Sequence, residues 1–135
     1  MLDPENSPRQ SLYKRLGGYD TIAAFVADLM PRLHSDPTLG VYWKGKSQDS
    51  RRREDQLLID FLCAAFEGPV FYAGRDMKIS HQGLGITEEE WDILLVHIGA
   101  SLDWLEVGER EKAEFLEAAN SLKWEIVEVP RSVAE

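Results

Sequence analysis

The sequence predicts an all-α fold, on three observations. Apolar residues recur at helical spacing through most of the chain, and cap or stop signals bracket those stretches. No run of useful length alternates apolar and polar residues as a half-buried strand would. The 135 residues suit one domain that can bury a core without staples. Internal repeats and low-complexity blocks are absent.

Residues 1–10 hold Pro4 and Pro8 among mostly polar side chains and read as a disordered lead. A short helix, SLYKRL (11–16), ends at Gly17-Gly18, where positive φ is free of steric cost. Ile22, Phe25, Val26, Leu29, Met30 and Leu33 then share one helical face. Pro31 lies inside that stretch, removes a backbone donor, and is expected to kink the helix or end its regular part early. SDPTLG (35–40) reads as a turn, with Asp36 extended before Pro37.

The polar stretch KGKSQDSRRRED (44–55) reads as a solvated loop running into a helix, with Asp49 or Ser50 as cap. Leu57, Leu58, Phe61, Leu62 and Ala65 supply the apolar face of that helix, which Gly68-Pro69 closes. A loop, VFYAGRD (70–76), leads to a short segment, MKISHQG (77–83), ended by Gly83 and Gly85. Thr87 and Glu90 form a capping box for a helix carrying Trp91, Leu94, Leu95, Ile98, Leu102 and Leu105. Gly108 separates it from a last helix with Leu116, Ala119, Leu122 and Ile126, and the tail 129–135 is expected to fray. The domain is therefore expected to span 11–128.

Charge and composition exclude several function classes. With 24 acidic residues against 15 basic ones, the chain carries a net charge of −9, which repels nucleic acid and anionic membrane surfaces. No apolar run approaches the roughly 20 residues that span a bilayer. The N-terminus lacks the apolar core of a signal peptide, so a cytoplasmic location is expected. Cys63 is the single cysteine, which rules out an intramolecular disulfide or a Cys-rich metal site; within FLCAAF it reads as buried packing.

The usual phosphate-loop, dinucleotide, zinc-protease and nucleophile-elbow signatures are missing. Three histidines remain: His34, His81 and His97, with no spacing that makes a three-ligand zinc site. A lone histidine in a helical domain is ordinarily a surface or structural residue. His81 differs in its setting, a segment too short to be a core helix, bracketed by YAGRD and QGLG, with apolar Met77 one turn earlier. One imidazole without partner ligands suits a metal that brings four ligands of its own, and haem iron is such a metal. Spacing alone leaves the structural histidine open.

Two runs carry a family resemblance. LYKRLGGYDTIAAFV (12–26) and CAAFEGPVFYAGRDMKISHQGLGIT (63–87), continued by the Glu-rich helix start and Trp91, resemble the group I truncated haemoglobins across roughly residues 11–127. The resemblance implies a two-over-two helical sandwich around a b-type haem (iron protoporphyrin IX), with His81 as the proximal iron ligand. It places Met30 where the family carries a distal tyrosine and Leu58 where it carries a distal glutamine, with Glu54 one turn before. Trp43, preceded by Tyr42, stands where an aromatic packs on the haem edge. Tyr72, Arg75 and Lys78 match positions able to meet the haem propionates. Phe61 and Leu62 would line the distal wall, Leu94 and Ile98 the inner pocket, and Met77 the proximal side.

The departures from the family pattern have a physical consequence. A diatomic ligand that gathers negative charge is held by a hydrogen-bond donor, a contact worth about 1.5–3 kcal/mol. Met30 and Leu58 donate nothing, so the pocket is expected to favour CO and NO relative to O2. The implied function is reversible binding of diatomic gases for storage, scavenging or sensing. The alternative is an enzyme converting NO with O2 to nitrate, or reducing peroxide or nitrite, with an external reductase as partner. A haem-free helical domain is a third reading. A monomer or weak homodimer is expected. Met30 as a second iron ligand competes with Met30 as core filling. His34, beside Ser-Asp-Pro, is expected to be solvent-exposed, and His97 to sit at the edge of the apolar stripe. Trp104 and Trp124 read as helix-packing aromatics, and Arg51-Arg52-Arg53 as a solvated face.

Overall fold

The computed structural model describes residues 10–131. Their helices are α1 (Leu12–Leu16), α2 (Tyr19–Ser35), α3 (Gln48–Ala65), α4 (Met77–His81), α5 (Glu88–Trp104), α6 (Glu109–Asn120) and α7 (Lys123–Ile126), with a 3-10 turn over Gly40–Trp43. The β structure among the described residues is one isolated bridge, Thr87 with Val129. The lead expected over 1–10 lies, apart from Gln10, outside the described residues.

Local signals explain most helix ends. Ser11 Oγ accepts the Lys14 amide at 3.2 Å, and Gly17, at φ 115°, closes α1 in the left-handed region. In α2 all six apolar residues of the predicted face are buried. Pro31 does not end this helix, which continues to Ser35. The proline costs the helix one amide donor, and Leu33, buried on the following turn, anchors the remainder against the core.

Two boundaries differ from expectation. The cap of α3 is Ser47, whose hydroxyl accepts the Ser50 amide at 3.1 Å, so Asp49, Ser50 and the three arginines are already helical. The face of α3 is also turned: Leu57 is 42% exposed, while Cys63 and Phe66 are buried. The single last helix divides into α6 and α7 at Ser121-Leu122. Its main anchor is Phe115, unremarked in the periodicity, whose ring lies 4.7 Å from Phe25 and 4.9 Å from Phe66.

Helix α2 is the centre of the molecule. It packs against α3 on one side and α5 on another, α5 packs on α6, and α1 bridges to α6, giving two helix pairs layered over one core. Trp104 and Trp124 are not packing residues: they are 64% and 61% exposed, and Lys123 Nζ sits 4.9 Å over the Trp124 ring. The described part of the tail is held rather than frayed, since Val129 and Arg131 both bond to residues at the start of α5. Among the described residues no helix is long and apolar enough to cross a membrane.

Candidate functional site

His81 closes α4, a single five-residue turn. A helix this short has almost no intrinsic stability, so its ends are held from outside. At the N-terminal end Asp76 Oδ1 accepts the Ile79 amide at 2.7 Å. At the other end the imidazole turns back on its own helix, with Nδ1 2.8 Å from the Met77 carbonyl oxygen and 3.1 Å from Ser80 Oγ. A carbonyl oxygen only accepts, so Nδ1 carries the proton and donates it there. In the neutral imidazole that leaves the lone pair on Nε2, and no hydrogen bond reaches this atom among the described residues. A backbone carbonyl accepting from one ring nitrogen, with the other nitrogen unprotonated, is an arrangement common to histidines that bind metals.

The donor set limits which metal could sit at His81. Among the described residues no group of three or more His, Cys, Asp and Glu side chains could enclose an ion. A metal at His81 must therefore arrive with most of its own ligands, as a haem iron does. The surroundings fit such a group. Phe61, Leu62, Met77, Leu94, Leu58 and Trp43 are all only half-buried, although most of them pack against the core cluster. Phe61 and Tyr72 meet edge to face at 5.3 Å, and the Tyr72 hydroxyl donates to the Arg75 carbonyl. Burial, helped by Asp76, pushes the Tyr72 phenol up, so it stays a neutral donor. Arg75 and Lys78 are exposed, as cations facing an acidic cofactor edge would be.

The other predicted positions sort themselves differently. Ile98 is buried in the core, and Met30 is buried with it. Leu58 is half-buried on α3. The Glu54 carboxylate is taken by Lys46 in an ion pair. Tyr42 donates to Glu90 Oε1 at 2.8 Å, and burial together with that carboxylate pushes its phenol up to about 12.

A polar cluster between α2 and α3 was not legible in the sequence. His34, expected in solvent, is only partly exposed, and its ring lies 4.8 Å from that of Trp43. Arg51, expected on a solvated face, donates to the Trp43 carbonyl at 3.2 Å, while Arg52 and Arg53 are exposed. His34 Nε2, Arg51 Nε and Asp55 Oδ1 are buried atoms without a hydrogen-bond partner. Burial, then the Arg51 charge, holds the His34 imidazole below its usual range, and burial raises the Asp55 carboxyl. The spacing of Arg51 and Asp55, four apart on one helix, is the one hint the sequence offered.

His97 also finds a partner across the fold. Its Nε2 lies 2.8 Å from Asp36 Oδ2, while Asp36 Oδ1 accepts the Thr38 and Leu39 amides at 2.8 and 2.9 Å. The His97 contact, followed by the Leu39 amide, holds the Asp36 carboxyl below its usual range and ties the turn after α2 to α5.

Known proteins resemble this chain in sequence and in fold. A family described as bacterial-like globin matches residues 11–128. A group 1 truncated hemoglobin GlbN from Nostoc sp. is 28% identical over 117 residues, covering 87% of this chain and 97% of that one. The same-named protein of Nostoc commune is 33% identical over 89 residues, covering 66% of this chain and 73% of its own. The Fe(III) form of the truncated hemoglobin from Tetrahymena pyriformis superposes with a TM-score of 0.80 at 22% identity, over 87% of this chain and 98% of that one; this likeness is one of fold.

Proposed function

The chain belongs to the bacterial-like globin family and is similar to group 1 truncated haemoglobins, and on that premise we propose that it holds a b-type haem through His81 and binds diatomic gases reversibly. The observation that carries the reading is the His81 imidazole, with Nδ1 committed to the Met77 carbonyl at 2.8 Å and Nε2 free. When bound, haem would supply an iron able to take a small diatomic ligand.

The chain's own residues do the rest. The Met77 carbonyl fixes the ring orientation and strengthens Nε2 as a donor to the metal. Trp43, Phe61, Leu62 and Leu94 offer half-buried apolar surface that would exclude water from the porphyrin faces, and Ile98 packs in the core behind them. Arg75 and Lys78 offer two cations to the propionates, while the Tyr72 hydroxyl donates to the Arg75 carbonyl and orders the loop that carries them. On the distal side Met30 and Leu58 place hydrocarbon and thioether where a hydrogen-bond donor would hold O2, and Glu54 is occupied by Lys46. The pocket therefore ranks CO and NO above O2, and this favours gas binding over NO dioxygenation, which needs a long-lived O2 complex.

The test is the absorption spectrum of the purified chain with haem added. The wild type should give a Soret band and a ferrous CO form. His81→Ala should lose the band or retain haem only loosely, with affinity lowered about 100-fold or more. A wild-type chain that stays colourless ends the proposal.

A further inference from the structure

Residues 82–87 join His81 to α5, and they are gripped by a segment more than forty positions away. Glu128 Oε2 accepts the Gly83 amide at 3.0 Å, and Oε1 accepts the Gly85 amide at 2.8 Å. The Glu128 amide donates back to the Ile86 carbonyl at 2.9 Å, and the Val129 amide to the same oxygen at 3.1 Å. The Glu88 amide then donates to the Val129 carbonyl at 3.1 Å, completing the bridge between Thr87 and Val129. Lys123 Nζ and the Arg131 amide both reach the Glu88 carboxylate at 2.7 Å.

Two features make this a clamp rather than an incidental contact. Gly83 and Gly85 have φ of 85° and 68°, a conformation that turns their amides toward one carboxylate as a small anion nest. Both bonds are charge-assisted and engage the two oxygens separately. Released from Glu128, a loop with two glycines would sample many conformations. Its N-terminal anchor is α4, which is one turn long and packs against α7, the helix just before Glu128.

We propose that Glu128 is a positioning residue for the proximal histidine. Its carboxylate fixes the Gly83–Gly85 loop, the loop fixes the end of α4, and the His81 imidazole is thereby held in one position. This rests on the haem reading given above. Glu128 touches neither haem nor gas; it acts through His81.

The experiment compares full-length wild type, Glu128→Ala, Glu128→Gln and, as control, Glu125→Ala on the exposed side of α7. In the haem-free chains, amide exchange at Gly83 and Gly85 should accelerate by roughly tenfold in Glu128→Ala. In the haem-loaded chains, haem loss to an excess of acceptor protein should accelerate by roughly tenfold. The iron–histidine stretching band of the ferrous form should shift or broaden. Glu128→Gln, which keeps one accepting oxygen, should fall between, and Glu125→Ala should match wild type. If the wild type takes up haem and the Glu128 variants match it in loss rate and in the iron–histidine band, this inference alone falls. If the wild type takes up no haem, the functional reading falls and takes this inference with it.

Discussion

At the scale of single residues, what matters is how each polar atom is matched. His81 is fully committed on one nitrogen and free on the other, which is the state a metal ligand needs. His34 is the opposite case, an imidazole with a buried nitrogen that nothing answers. Its folded-state pKa is depressed, by burial first and by Arg51 second, so below the ordinary imidazole range of about 6.5 the unfolded chain binds a proton that the folded chain resists. Stability is therefore fully present above that range and is lost as pH falls through it. His34→Phe keeps a ring against Trp43 and removes the titration. The urea midpoint of wild type should drop between pH 7 and pH 5, and that of the variant should drop less. Equal slopes would show that the His34 environment is already open to water.

Among the elements, caps and glycines determine where helices stop and how they approach. Thr87 and Glu90 satisfy each other's amides at 3.1 and 2.9 Å, and Glu90 takes the Tyr42 hydroxyl as well, so one carboxylate both starts α5 and pins the 3-10 turn. Gly68 allows the end of α3 to pass beneath α1: a Cβ there would stand 2.4 Å from a carbon of the Tyr13 ring. The Tyr13 backbone amide donates a hydrogen bond to the Phe66 carbonyl at 3.1 Å, which holds α1 against the end of α3. Gly68→Ala should destabilise the chain by about 1–3 kcal/mol, the range for overpacking, as measured by chemical denaturation. A cost near zero would mean that α1 swings freely on the core. The elements legible in the sequence were those whose signals lie within a few positions, such as the α2 face and the α5 capping box. Ser47 was missed as a cap because Asp49 and Ser50 carry the same chemistry two and three residues on, and only the path of the chain from the 3-10 turn selects among them.

Over the whole molecule, the core divides into a finished part and an unfinished one. Ile22, Phe25, Val26, Phe66, Leu102 and Phe115 are closed around α2. Phe61, Leu62 and Leu94, on the inner faces of α3 and α5, remain half-exposed. A haem seated there would complete that surface, and anything that binds only the folded chain stabilises it by mass action. At free haem a hundredfold above its Kd this amounts to about 2.7 kcal/mol. For a chain of this length that corresponds to about 10 °C in Tm. Thermal unfolding followed with and without haem should show that gap, and His81→Ala should erase most of it. Coincident curves would mean that the half-buried apolar faces belong to some other contact.

The sequence by itself determined the all-helical class, the apolar face of α2 and the box that opens α5, while His81 stood out only once the family resemblance was added to its spacing. Each of these depends on residues within a few positions of one another, where backbone geometry converts spacing into contact. Only the tertiary structure decided the rest: that His34 faces a buried cluster with Arg51 and Asp55, that Trp104 and Trp124 face outward, and that Glu128 grips Gly83 and Gly85. These contacts join residues far apart in the chain, or turn on which side of a helix another helix covers. Local chemistry is indifferent to both until the helices have docked.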